Sequence, residues 1–265
     1  MTILDTIVEQ KKLEVADRKS LISIDVLEQS VSFSRPCISL RANLLDTTKT
    51  GIIAEYKRKS PSKGIINAIS TVEEVTSAYA EHGAAAVSVL TNEIFFGGNL
   101  NDLVHPVQLP IPVLRKDFMI DDYQIYEAKA HGASVILLIA ACLTPVEVRR
   151  MAVLAHQLGL EVLLEIHGSD ELGHICPEVD FIGVNNRNLK SFEVSLDHSI
   201  ELIKKIPKEM LAIAESGIDH PDTIVTLQKA GFSGFLIGER FMRENNPGIA
   251  FANFVKTLKE KQNAG

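Results

Sequence analysis

Residues 72–90 read VEEVTSAYAEHGAAAVSVL, and a helix signal, a turn signal and a strand signal follow one another within them. From Val72 to Glu81 apolar residues recur at helical spacing between charged positions, which predicts a helix with one buried face. Gly83 then suits the left-handed turn that closes such a helix, because it has no Cβ to clash there. Ala85 to Leu90 follows as a short apolar run of strand length. The same order returns at residues 123–139, YQIYEAKAHGASVILLI, and at residues 221–237, PDTIVTLQKAGFSGFLI. One helix–glycine–strand unit is being reused, and strands that alternate with helices specify a parallel sheet.

Outward from these units, eight strands are expected: Gly51 to Lys57, Ala85 to Leu90, Pro112 to Lys116, Ser134 to Ile139, Glu161 to Glu165, Phe181 to Asn185, Leu211 to Glu215 and Gly234 to Ile237. The helical stretches between them include Val72 to Glu81, Tyr123 to Ala130, Pro145 to Leu158, Asp197 to Lys205 and Pro221 to Lys229. Eight such units in 265 residues predict an α/β fold, a single (β/α)8 TIM barrel spanning 1–265. Residues 1–48 precede the first strand and carry an Ile3, Leu4, Ile7, Val8 stripe, which predicts an N-terminal helical extension packed on the barrel. His82 and His131 share one slot at helix C-termini, where a partly charged imidazole would complement the helix dipole.

Composition narrows the class of function. Hydrophobic residues make up 46% and charged residues 23%, an ordinary globular balance. A formal charge of −7 and a pI near 5.6 argue against nucleic acid or a membrane surface as partner, so any anionic ligand must be held by local cations. Asp5, Glu9, Lys11 and Lys12 interrupt the apolar N-terminus, and no later run reaches transmembrane length, so a soluble cytoplasmic protein is expected. Cys37, Cys142 and Cys176 are odd in number and far apart, which supports neither a disulfide framework nor a zinc site.

Parallel barrels build their sites at the C-terminal ends of the strands. Here the expected strands end in Glu55 and Lys57, Lys116, Glu165, Asn185, and Glu215 with Ser216. Residues two apart on a strand face the same way, so Lys116 shares a face with Leu114 and Glu165 with Leu163. If those leucines fill the interior, two lysines, three glutamates and an asparagine ring one mouth. Buried charge is costly unless paired, so the set points to chemistry. Ser216-Gly217 after the seventh strand and Gly238 after the eighth occupy the positions where many barrels hold phosphate. Ser60-Pro61-Ser62-Lys63-Gly64 fits a loop over an anion, and Phe96 with Phe118 offers an aromatic wall.

At these residues a family resemblance becomes specific. The run from Ile53 to Gly64, IAEYKRKSPSKG, closely resembles the first-strand signature of indole-3-glycerol phosphate synthases. So do PVLRKDF from Pro112, GVNNRNL from Gly183, AESGI from Ala214 and FLIGE from Phe235, in an order that spans essentially the whole chain. The resemblance implies conversion of 1-(2-carboxyphenylamino)-1-deoxyribulose 5-phosphate, an anthranilate-derived ribulose phosphate, to indole-3-glycerol phosphate. Carbon dioxide and water are lost, and neither metal nor organic cofactor is implied. It also implies Lys116 as general acid for ring closure, Glu165 as acid or base in dehydration, and Lys57 on the substrate carboxylate or in dehydration. Glu55 would pair with the lysines, while Asn185 and Glu215 would position hydroxyls and the amine. Phosphate falls to Ser60, Ser216, Gly217 and Gly238, the anthranilate pocket to Phe96, Phe118, Leu137 and Leu189, and Arg187 joins the substrate-binding set. Glu239 replaces a small hydroxyl residue beside Gly238 and is expected to turn away from phosphate. Other tryptophan-pathway enzymes are the macromolecular partners such a resemblance brings into view.

Two rival readings accompany this one. Phosphoribosylanthranilate isomerase is another sugar-phosphate barrel, which fold alone does not separate, but two strand-end lysines and the long first signature favour the decarboxylating synthase. A non-catalytic sugar-phosphate sensor would be free to lose Lys116 or Glu165, and both are present.

Overall fold

The computed structural model describes residues 2–187 and 194–263. Its parallel strands are β1 (Ile52–Tyr56), β2 (Ala86–Leu90), β3 (Val113–Lys116), β4 (Val135–Ile139), β5 (Glu161–Ile166), β6 (Phe181–Asn185), β7 (Leu211–Glu215) and β8 (Gly234–Ile237). Each pairs with its neighbour in chain order and β8 pairs with β1, so the barrel closes and has no free sheet edge. All the expected strands form. β6, β7 and β8 keep their expected bounds, whereas β1 to β4 each start one residue late. Gly51 is left-handed with φ +69, so extended backbone begins after it, and Pro112 has no N–H to give to a ladder.

Three helices precede the barrel: α1 (Ile3–Leu21), α2 (Ile24–Glu28) and α3 (Leu40–Leu45). Around and above it lie α4 (Val72–Glu81), α5 (Glu93–Phe96), α6 (Tyr123–Ala130), α7 (Pro145–Gln157), α8 (Leu196–Ile203), α9 (Pro221–Ala230), α10 (Glu239–Met242) and α11 (Pro247–Asn263). Their starts are written locally. Thr71 with Glu74 and Thr144 with Glu147 form reciprocal capping boxes, each satisfying backbone N–H groups that the helix leaves unpaired. Their ends use the expected glycines: Gly83, Gly132 and Gly231 have φ of 87°, 81° and 111°. Helix α8 is displaced from the expected span because Ser195 caps it one residue after the bridge at Val194, and its C-terminal lysines fall in a turn before Pro207. His131 also departs from expectation. Its Nδ1 lies 2.7 Å from the Glu127 carbonyl oxygen, and burial pulls its pKa down, so it serves as a neutral hydrogen-bonding cap instead of a dipole counter-charge.

Alternation along each strand sorts the core into two shells. Ile52, Ala54, Val87, Val89, Ile136 and Leu164 face the helices, where Tyr79, Met151, Leu227 and Phe251 pack on them. Ile53, Ala86, Leu114, Leu137, Leu163, Phe181, Ile213 and Leu236 fill the interior. Leu40 of α3, fully buried, joins that inner cluster with Leu44 and plugs the barrel's lower end. Each such apolar side chain contributes about 1.5–3 kcal/mol on burial. Gly234 makes room for the plug, since a Cβ there would lie 2.9 Å from Ile213 Cγ1 and 3.2 Å from Leu44 Cδ2. With the lower half filled, the wide opening left is at the strand C-termini.

Candidate active site

The alternation that places Leu114, Leu163 and Ile213 in the interior carries Lys116, Glu165 and Glu215 to the mouth two residues later. Parallel pairing then sets neighbours around the rim: Asn185 lies beside Glu215, Glu165 beside Gly183, and Glu55 beside Ser88. These groups surround a cavity of about 610 Å³ whose lining includes Glu55, Lys57, Lys116, Glu165, Asn185 and Glu215. The expected ring of charge is therefore assembled in one place.

Lys116 is its centre. Its Nζ donates to Glu215 Oε2 at 2.6 Å and to Glu165 Oε2 at 3.2 Å. Burial works against the ammonium, but Glu215, Glu165 and Glu55 outweigh it and hold the proton on well beyond the ordinary lysine range. Burial likewise opposes the Glu165 carboxylate, yet Lys116, His167 and Asn185 hold it well below the usual range. Asn185 Nδ2 donates to Glu165 Oε1 at 3.0 Å. Glu215 goes the other way, because burial and repulsion from Glu165 and Glu55 outweigh Lys116 and push its carboxyl up. Among the described residues, Glu215 Oε1 is a buried acceptor without a hydrogen-bond donor. Gly183 makes its position possible: a Cβ there would lie 2.2 Å from that oxygen.

Glu55 takes a narrower part than expected. It pairs with Lys57 at 3.1 Å and accepts from Ser88 Oγ at 3.3 Å, while Lys116 is held by the other two glutamates. Gly238 is packed on it, since a Cβ there would lie 2.7 Å from Glu55 Oε1. Phe96 and Phe118 come together with ring centroids 6.0 Å apart, and Leu137 lies beneath them in the same cavity lining. Leu189 lies outside the described residues. Ser60 pairs with Gly64 in a two-stranded ribbon and accepts from the Lys63 N–H at 3.3 Å. Ser216 and Gly217 are both left-handed, with φ of 70° and 68°, and Ser216 is the strained member because a side chain rarely adopts that backbone. Arg187 Nη1 reaches Ser62 Oγ at 3.3 Å, and Nη2 lies 3.7 Å from Glu239 Oε2. Glu239 is among the residues that line the cavity, with its carboxylate toward Arg187.

Several contributors escaped the sequence reading. His167 sits two residues after Glu165, the same-face spacing already applied to the glutamate, with Nε2 3.1 Å from Glu165 Oε1. Burial disfavours its charge, but Glu165 and Glu171 prevail and push its pKa up to about 10, so it is an imidazolium at neutral pH. Arg58 pairs with Asp102 through two contacts and donates to the Gly97 carbonyl at 3.1 Å, tying the loop after β1 to the one after β2 that carries Phe96. Ile3, Leu4 and Ile7 of α1 add an apolar edge to the cavity.

A family model described as indole-3-glycerol phosphate synthase matches residues 4–254. The chain belongs to the indole-3-glycerol phosphate synthase family. Membership carries its enzyme class, a carboxy-lyase of tryptophan biosynthesis. The chain is 44% identical over 259 residues to the indole-3-glycerol phosphate synthase of Bacteroides thetaiotaomicron, covering 97% of this chain and 99% of that protein. It is 41% identical to the one from a Polaromonas species, covering 94% and 97% respectively. Among solved structures, the tryptophan synthase alpha subunit of Legionella pneumophila superposes with a TM-score of 0.61 at 12% identity, over 85% of this chain and 98% of that one, a likeness of fold. Among the described residues no helix is long and apolar enough to cross a membrane, and no cluster of His, Cys, Asp and Glu could hold a metal ion.

Proposed function

We propose that this mouth closes the indole ring of 1-(2-carboxyphenylamino)-1-deoxyribulose 5-phosphate, with Lys116 as the general acid. The observation that carries the reading is the Lys116 ammonium, nearly buried between Glu165 and Glu215 and facing the same cavity as the Phe96–Phe118 wall. The substrate's aromatic carbon that bears the carboxylate bonds to the ribulose carbonyl carbon, and the carbonyl π pair moves to oxygen. Lys116 gives that oxygen its proton, and its charge lowers the barrier before transfer is complete. The ring–carboxylate bond then breaks, its electrons restore the aromatic ring, and carbon dioxide leaves.

Dehydration takes a proton from the carbon beside the amine and expels the new hydroxyl as water. Glu165, held ionised by Lys116, Asn185 and His167, suits the base. Lys57, paired with Glu55 at the rim, suits the substrate carboxylate and then the departing hydroxyl. The open oxygen of Glu215 suits the substrate amine N–H, and Asn185 a sugar hydroxyl. Ser60, Ser216, Gly217 and Gly238 take the phosphate, with Arg187 above them, and Phe96, Phe118 and Leu137 take the anthranilate ring. The small molecule suffices as partner for this chemistry, and we read the chain as one barrel domain working in the cytoplasm.

The test is growth of indole fluorescence when the protein meets this substrate, beside Lys116→Ala. Turnover by the parent and a fall of about 10²–10⁴-fold in the variant is expected. A folded parent that binds the substrate without turning it over would revive the sensor reading, and a variant as fast as the parent would remove Lys116 from its role.

A further inference from the structure

At the mouth, Glu55, Glu165 and Glu215 face Lys57 and Lys116, three carboxylates against two ammoniums. The imbalance reaches Glu165 once Lys116 has reacted. Lys116 lies closer to Glu215 than to Glu165, 2.6 against 3.2 Å, and as general acid it gives its proton away before dehydration begins. A base that must still be ionised when that step begins needs a cation that does not react.

His167 stands in that place. Its side chain is 12% exposed, with Nε2 3.1 Å from Glu165 Oε1 and Nδ1 3.4 Å from Glu171 Oε2. Neither ring nitrogen makes a well-aligned hydrogen bond among the described residues, so charge is what binds the ring between two carboxylates. Glu171 is itself fixed, accepting from the His167 backbone N–H at 2.6 Å. From outside, His198 of α8 places Nε2 2.8 Å from the His167 carbonyl oxygen and pins the backbone. From the neighbouring strand β6, Asn185 shares Oε1 of Glu165 with His167, which leaves Oε2 turned to Lys116.

We propose that His167 is a positioning residue for Glu165: clamped by Glu171, it supplies the third cation of the mouth and keeps Glu165 an ionised base after Lys116 has given up its proton. The proposal rests on the reading of Glu165 as the dehydration base. It assigns His167 no contact with substrate; its effect passes through Glu165.

Turnover of 1-(2-carboxyphenylamino)-1-deoxyribulose 5-phosphate across pH, by the parent, His167→Ala, His167→Gln and Glu165→Gln, tests it. His167→Ala is expected to lower kcat about tenfold with KM nearly unchanged, and to move the acid limb of the kcat profile upward by about one pH unit, since Glu165 then keeps its proton longer. His167→Gln restores volume without charge and should leave the limb displaced. Added imidazole should return part of the His167→Ala loss. Full recovery in His167→Gln with an unmoved acid limb would show a packing role and overturn the proposal. Parent-like His167→Ala beside an inactive Glu165→Gln would overturn it while sparing Glu165, whereas an active Glu165→Gln would remove the base reading and the proposal with it.

Discussion

Strand β3 carries a charge network on each of its faces. Lys116 points into the barrel, while Arg115 and Asp117 point outward and are buried beneath α1 and α6. In the outer network Lys11, Arg18 and Arg115 meet Glu14, Asp117 and Glu127, three cations against three anions. Arg115 spends its donors on Thr91, Asp117, Glu127 and the Gln124 carbonyl oxygen, and Thr91 Oγ1 gives Asp117 a further bond at 2.8 Å. Its charges balance, and it fastens α1 to the barrel at the back of the strand that presents the acid. The inner network has an excess carboxylate, an unsatisfied oxygen on Glu215 and a path to solvent. Balanced charge fixes structure, and unbalanced charge is left for a substrate to complete.

Breaking the outer network should give the largest change in stability. Glu127→Gln removes one anion from between Arg18 and Arg115 and is expected to cost about 3–5 kcal/mol in urea unfolding, with the folded fraction keeping turnover within about threefold. Loss of turnover without loss of stability would mean that the outer set reaches into the chemistry. A smaller effect is expected from Gly183→Ala, whose methyl displaces Glu215 Oε1 at the mouth. Overpacking there costs about 1–3 kcal/mol, and kcat should fall about tenfold more than unfolding accounts for. Kinetics and a melt on one preparation separate the two contributions.

The comparison also explains what the sequence made legible. Strand ends and the period-two rule sufficed to bring Glu55, Lys57, Lys116, Glu165, Asn185 and Glu215 to one mouth, because facing depends only on neighbours along the chain. Who pairs with whom depends on the stagger between strands, which no single strand encodes, and so Lys116 rests on Glu215 where Glu55 was expected. Arg115 and Asp117, on the other face from Lys116, are nonetheless buried. Their burial comes from α1 lying over them, a contact across about a hundred residues. The Arg187–Glu239 pair was out of reach for a related reason, since Arg187 comes from the loop of a different strand. His167 was within reach of the same two-residue rule, and the rule simply stopped at the expected end of β5, which runs one residue further.

The sharpest test of an unbalanced inner network against a balanced outer one is a thermal melt of Glu215→Gln beside the parent at about pH 5 and about pH 8. The folded protein raises the Glu215 pKa above the ordinary glutamate value of about 4.3, so it binds a proton there more tightly than the unfolded chain does. Stability from that proton is complete below the unfolded pKa and is lost as pH rises through the folded one. Neutral glutamine should escape the loss: the variant is expected to melt about 2–4 °C above the parent at pH 8, to match it near pH 5, and to turn over poorly at both. A variant that melts below the parent at pH 8, as Glu127→Gln should, would contradict the account, because Glu215 would then belong to a balanced structural network.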